Sequence, residues 1–133
     1  MLKISEAANL AIHAMAYLGC QQPGSAASVS AISRKLCCSE SHLAKVLNQL
    51  AHKGLLISSR GAKGGFKLCS DAGEMTTLSI IEVIDGPIPE HGCMLGHSIC
   101  SQRQCVFQDL YGEFRERLIA RLEEVKIVDI QVR

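Results

Sequence analysis

Among the seven cysteines of this 133-residue chain, Cys93, Cys100 and Cys105 form a group, separated by six and four residues in an irregular stretch that runs from Gly86-Pro87 into a helical pattern. Thiolates are soft ligands suited to iron-sulfur clusters or to zinc, and an irregular loop can wrap three of them around one centre. Structural zinc sites more often show closely paired cysteines, which this loop lacks, so the spacing favours iron-sulfur. Three thiolates leave a fourth position for a weaker or borrowed ligand. The same three thiols could instead work without metal as a thiol or disulfide redox switch. Cys37 and Cys38 are adjacent and read as small packed residues of a turn, with direct redox action as a minor alternative, while Cys20 and Cys69 carry no motif. An odd cysteine count leaves one unpaired in any all-disulfide scheme and suits a reducing compartment. His91 and His97 lie near the loop cysteines, yet no nucleophile motif or cofactor loop accompanies them, so an enzyme is not expected.

The elements that must position these groups fit one compact body, since 47% of the residues are apolar. The first residues show no leader pattern and no apolar run reaches membrane-spanning length, so a cytoplasmic, membrane-free protein is expected. Leu10, Ala11, Ala14, Met15 and Leu18 recur at helical spacing behind a Ser5 cap and predict a first core helix over residues 5 to 19. A short helix from about Ser28 to Leu36, the tight Cys37-Cys38 connection and a longer helix from Ser39 to Lys53 give a helix-turn-helix length pattern. In the longer helix, Leu43, Val46, Leu47 and Leu50 share one side, and Ser41, Lys45, Asn48, Gln49 and His52 the other. Leu55 to Ser59 and Phe66 to Cys69 predict a hairpin across the glycine-rich turn Arg60 to Gly65, followed by a small helix from Leu78 to Ile84. From about Val106 to Val125, Leu110, Phe114, Leu118, Leu122 and Val125 line one stripe, edged by Tyr111 and Ile119. A stripe this long on a terminal helix predicts packing on the parent core or exchange across a two-fold axis.

Charge shows where a partner would dock. The net charge is only +1, but residues 31–67 hold seven basic side chains against the single acid Glu40, so that stretch carries +6 and the remainder −5. A cationic module on an acidic body is the footprint of a protein that docks on phosphate with one face. Ser39, Ser41, His42 and Lys45 occupy the leading turns of the second helix of the pair, where a recognition helix reaches base edges in the major groove. In the hairpin, Arg60 and Lys63 supply charge, and Gly64 and Gly65 would let backbone amides approach phosphates. The expected fold class is mainly α with a small β-hairpin wing, a winged helix-turn-helix plus a long C-terminal dimerisation helix. The expected division is 1–87 for DNA binding, 88–105 for a cysteine-rich sensor loop, and 106–133 for the dimerisation helix and tail.

Taken in order, Ser39 to Lys45, Gly54-Leu55-Leu56, the Arg60 to Phe66 wing, Ile84 to Pro87, the three-cysteine loop and the closing helix resemble the dimeric winged-helix iron-sulfur transcription regulators of the IscR and NsrR type. The resemblance covers nearly the whole chain. It implies a homodimer whose long helices cross between subunits, and a near-palindromic double-stranded DNA operator read by the two recognition helices. It implies contact positions at Ser39, Ser41, Lys45 and Arg60, and a 2Fe-2S or 4Fe-4S cluster on Cys93, Cys100 and Cys105 that controls operator binding, with repression the expected outcome. The chain departs from that pattern at the fourth ligand. Gln108 stands where the cluster-assembly regulators have a histidine, and Asn9 where nitric-oxide sensors have an acid. Amides are poor iron ligands, which makes Glu6, His91 and His97 further candidates. A cluster-free regulator governed by disulfide formation, a metabolite or a partner protein is the alternative.

Overall fold

The computed structural model describes residues 3–90, 93, 105 and 107–132. Four of its helices begin where a hydroxyl can accept from an otherwise orphaned amide. Ser5 accepts from Ala8 at the head of α1 (Glu6–Gly19), and Ser28 from Ala31 at the head of α2 (Val29–Leu36). Ser39 accepts from His42 for α3 (Glu40–His52), and Thr76 from Ser79 for α4 (Thr77–Asp85). Such a cap contributes about 1 kcal/mol, so four chain directions are set by local chemistry before any packing. The last helix, α5 (Gln108–Glu124), starts after Phe107 without a side-chain cap.

α1 is the centre of the fold. Ala8, Ala11, Ala14 and Met15 are fully buried, and Ile12, Ala16 and Leu18 nearly so, because α2, α3, α4, the hairpin and the C-terminal tail surround it. The sequence pattern predicted one apolar face including Leu10. Leu10 is only half-buried, and the alanines on the other sides are what allow neighbouring backbones to approach closely. α3 lays Leu43, Val46, Leu47 and Leu50 against this core, as its period predicts. Between α2 and α3 the turn is closed by Cys37 in the left-handed region, with φ 52°. That conformation, usually given to glycine or asparagine, costs another residue about 1 kcal/mol.

The hairpin pairs β1 (Leu56–Ser59) with β2 (Gly65–Leu68), antiparallel, in the register Leu56 to Leu68 and Ser59 to Gly65. A third segment joins it, because Ala27 and Phe66 exchange both backbone hydrogen bonds, at 2.8 and 2.9 Å. This contact explains Gly65. Its φ is +150°, and a Cβ there would lie 2.2 Å from the Ala27 carbonyl oxygen.

After α5 the chain returns to the core. The Thr77 amide donates to the Val125 carbonyl (2.8 Å), the Ile127 amide to the Met75 carbonyl (3.0 Å), and Ile127 is almost completely buried. Lys126 pairs with Glu74 at 2.7 Å, and the Thr77 hydroxyl donates to the Leu122 carbonyl at 2.8 Å. The α5 stripe therefore divides. Leu118, Leu122 and Val125 are half-buried towards the body of the chain, whereas Phe107, Leu110 and Phe114 are about half or more exposed. Tyr111 turns inward and donates to the Pro89 carbonyl, which Arg115 also engages.

Candidate nucleic-acid interface

The face of α3 opposite its buried leucines is solvent-exposed at Ser39, Ser41, Lys45, Asn48, Gln49 and His52. Ser39 has a structural task as well. Its hydroxyl caps the His42 amide at 3.4 Å and shares a hydrogen bond with the Ser41 hydroxyl at 2.9 Å. His42 is half-buried, its Nδ1 lying 3.9 Å from a Glu6 carboxylate oxygen. The open amides at the start of α3 add partial positive charge to this end of the helix, a setting that favours phosphate.

At the hairpin tip, Arg60, Gly61, Ala62 and Lys63 are exposed, and the Gly61 φ of +105° lets the turn close. Gly64 and Gly65 stand differently. The Gly64 amide already donates to the Gly61 carbonyl at 2.9 Å, and a Cβ at Gly64 would lie 2.6 Å from the Ser59 carbonyl oxygen. Both glycines are half-buried and serve the packing of the hairpin itself. Among the described residues, no ion pair engages Arg34, Lys35, Lys45, Lys53, Arg60, Lys63 or Lys67. Their charge is free for an external anion. Asn48, Gln49 and His52 extend the polar face further than the four leading residues singled out from the sequence, and Arg34 and Lys35 flank it from the last turn of α2. The period that found Lys45 is the signal that marks Asn48 and Gln49.

The cysteine loop is described in part. Cys93 and Cys105 are half-buried free thiols, while Cys100, His91 and His97 lie outside the described residues. Among the described residues no group of three His, Cys, Asp or Glu side chains is gathered as for a metal ion. Of the fourth-ligand candidates, Glu6 faces His42, and Asn9 is exposed on α1, its carbonyl 2.8 Å from the His13 ring. Gln108 opens α5. Cys38 is half-buried in the turn before α3. Burial, then the neighbouring Cys37, then Glu6 push its thiol above the ordinary cysteine range.

A helix pair whose second member exposes an uncompensated polar face, followed directly by a hairpin with a basic tip, defines a DNA-binding winged helix-turn-helix. The chain belongs to the Rrf2 family, described as iron-dependent transcriptional regulators, whose pattern matches residues 4–133. An HTH-type transcriptional regulator of Aquifex aeolicus is 28% identical over 79 residues, covering 57% of this chain and 55% of that protein. The regulator IscR of Cronobacter sakazakii is 22% identical over 129 residues, covering 97% of this chain and 80% of its own length. The fold superposes on CymR, the global cysteine regulator of B. subtilis, with a TM-score of 0.76 and 26% identity over 97% of this chain and 95% of that one. The family and these relatives are transcription regulators, and none of them is an enzyme. Among the described residues no helix is long and apolar enough to cross a membrane.

Proposed function

We propose that the protein acts as a homodimer on double-stranded DNA, setting α3 of each subunit into successive major grooves of a near-palindromic operator, ~34 Å apart. The observation that carries this reading is the surface of α3 and the hairpin tip, where Ser41, Lys45, Arg60 and Lys63 are exposed and the cations are unpaired among the described residues. Lys45, Lys63 and the start of α3 hold phosphates, Arg60 enters the minor groove beside the wing, and Ser41 and His42 reach base edges. Ser39 orders that end through its cap. The second copy is supported by Phe107, Leu110 and Phe114, which recur on one side of α5 and are 49%, 61% and 57% exposed. Such a face on a helix that leads out of the sensor loop suits the same face of another subunit.

Control is assigned to an iron-sulfur cluster on Cys93, Cys100 and Cys105. The donor chemistry fits, because three thiols fall within thirteen residues of sequence and the two described ones are half-buried, partly shielded from solvent. When bound, the cluster supplies a centre that reacts with oxidants or nitric oxide or is lost when iron is scarce. The loop passes through Cys105 into Phe107 and α5, so its state bears on the subunit interface and on the separation of the two α3 helices. A coupling of ~1 to 3 kcal/mol gives ~5- to 150-fold control of DNA affinity. The likeness to CymR, the global cysteine regulator of B. subtilis, supports a second reading in which this protein answers to thiol chemistry or a metabolite without a cluster.

Oxygen-free purification followed by iron and sulfide analysis, visible absorption and duplex binding tests both layers. A coloured protein whose absorption disappears in Cys93→Ser, Cys100→Ser and Cys105→Ser supports the cluster, and a colourless protein free of iron and sulfide favours the second reading. A monomer that ignores duplex DNA at low ionic strength, with and without iron and sulfide, would overturn the whole proposal.

A further inference from the structure

The helix-turn-helix turn carries chemistry that DNA docking does not use. Cys37 and Cys38 are consecutive free thiols, one exposed and one half-buried, placed directly before Ser39, the cap of α3. Cys37 holds the left-handed turn position, where a cysteine gives the backbone no advantage over glycine or asparagine. Cys38 packs against the core edge and has the Glu6 carboxylate near it, and Glu6 also faces His42.

Adjacent cysteines present a small bite. Their Cα atoms are ~3.8 Å apart across a trans peptide, closer than the ~4.4 to 6.8 Å that an unstrained disulfide spans. A linear two-thiolate ion such as monovalent copper needs its sulfurs on opposite sides. A pyramidal centre, whose bonds meet at a narrow angle, suits two sulfurs from neighbouring residues. We propose that Cys37 and Cys38 form a vicinal dithiol site for trivalent arsenic compounds, and that occupation of this site weakens DNA binding by the adjoining recognition helix.

The reaction is a condensation without electron transfer. An arsenic centre bearing two hydroxyls forms two arsenic-sulfur bonds and loses both hydroxyls, each leaving as water with the proton of one thiol. Neither sulfur has to ionise beforehand, so the raised thiol of Cys38 is no obstacle. The product places an arsenic group at the head of α3, beside the Ser39 and Ser41 hydroxyls that interact at 2.9 Å. The effect on DNA rests on the assignment of α3 as the recognition helix, whereas the arsenic site itself does not.

Phenylarsine oxide, which hydrates to a two-hydroxyl arsenic centre, is the probe, applied to the full chain carrying Cys93→Ser, Cys100→Ser and Cys105→Ser to remove competing loop thiols. Intact-mass spectrometry is expected to show one phenylarsenic adduct per chain, with two thiols lost to titration by a disulfide reagent. Addition of Cys37→Asn, which suits the left-handed turn, and Cys38→Ala, which suits a half-buried site, should abolish the adduct while circular dichroism stays unchanged. Affinity for a generic duplex at low ionic strength should fall at least tenfold on adduct formation, return with excess dimercaptopropanol, and not respond in the Cys37→Asn, Cys38→Ala protein. Duplex affinity of the parent chain and of the loop variant is compared before the probe is added, which separates loss caused by the loop substitutions from loss caused by the adduct. Failure of the parent chain to bind the duplex counts against the proposed function, and the adduct count still decides the site. An adduct that persists without Cys37 and Cys38, no adduct at all, or a full adduct that leaves DNA affinity unchanged would overturn the proposal.

Discussion

Replacing Lys45 or Lys63 by alanine tests the DNA-facing surface by a quantity that folding defects do not imitate, the salt dependence of binding. Both side chains are exposed, one on α3 and one at the hairpin tip, and neither is engaged in an ion pair among the described residues. Each cation that neutralises a phosphate contributes about 0.9 to the slope of log affinity against log salt concentration. The proposed dimer loses two copies at once, so either substitution should flatten its slope by about 1.8. A fourfold rise in salt then narrows the gap between variant and parent about twelvefold. Fluorescence anisotropy on a labelled duplex, titrated at several salt concentrations, gives both slope and intercept. Arg121→Ala is the matched control, because Arg121 is exposed on α5 and already pairs with Glu124 at 3.1 Å. Unchanged slopes for both lysine variants, or an equal change for the Arg121 control, would refute the placement of phosphate against α3 and the wing.

Further outcomes follow from individual contacts. Leu110→Glu combined with Phe114→Glu should convert the proposed dimer to a monomer in light scattering with little change in the melting of the single chain, since both side chains are exposed within it; a surviving dimer contradicts the proposed interface. Gly65→Ala should cost at least about 2 kcal/mol, roughly 8 °C in melting temperature, because its Cβ meets the Ala27 carbonyl at 2.2 Å on a positive-φ backbone. A neutral result there would mean that Ala27 does not pair with Phe66. Cys38 should be alkylated by iodoacetamide more slowly at pH 8 than an unperturbed thiol, because its raised pKa leaves less thiolate. The same shift means that Cys38 stabilises the fold below the unfolded thiol's pKa, and that this contribution is lost as pH rises through the folded value. Glu6→Gln should speed the alkylation modestly, burial being the larger cause.

What could be read from the sequence was local. Ser5, Ser28, Ser39 and Thr76 act on amides three residues away; the sequence marks starts at Ser5, Ser28 and Ser39, whereas Thr76 carries no sequence-level assignment and its helix is expected only from Leu78. The split of α3 into a leucine face and a Lys45 face needs only its own thirteen residues. The reason for Gly64 and Gly65 was not visible, because it lies in carbonyls of Ser59 and Ala27, and Ala27 comes from a different part of the chain. Ile127 offered no signal either, since its burial depends on pairing with Met75, some fifty residues earlier.

That long-range pairing also bears on the proposed control of DNA binding by the cysteine loop. The far end of α5 is fixed to α4 through the Val125 and Leu122 carbonyls. α4 ends in Asp85, which accepts from the amide and hydroxyl of Ser5 at the head of α1, and α1 is the surface on which α3 packs. The near end of α5 follows Cys105 by a few residues and bears the uncovered Phe107, Leu110 and Phe114. On the proposed reading, α5 is held to α4 at its far end and to the Ile88 and Pro89 carbonyls through Tyr111 and Arg115 nearer its start, so a change at Cys105 reaches the α4, α1 and α3 stack along α5 as well as the proposed subunit contact. A sequence stripe read as one continuous seam could not reveal this, because the division of labour within α5 depends on which of its residues α4 covers.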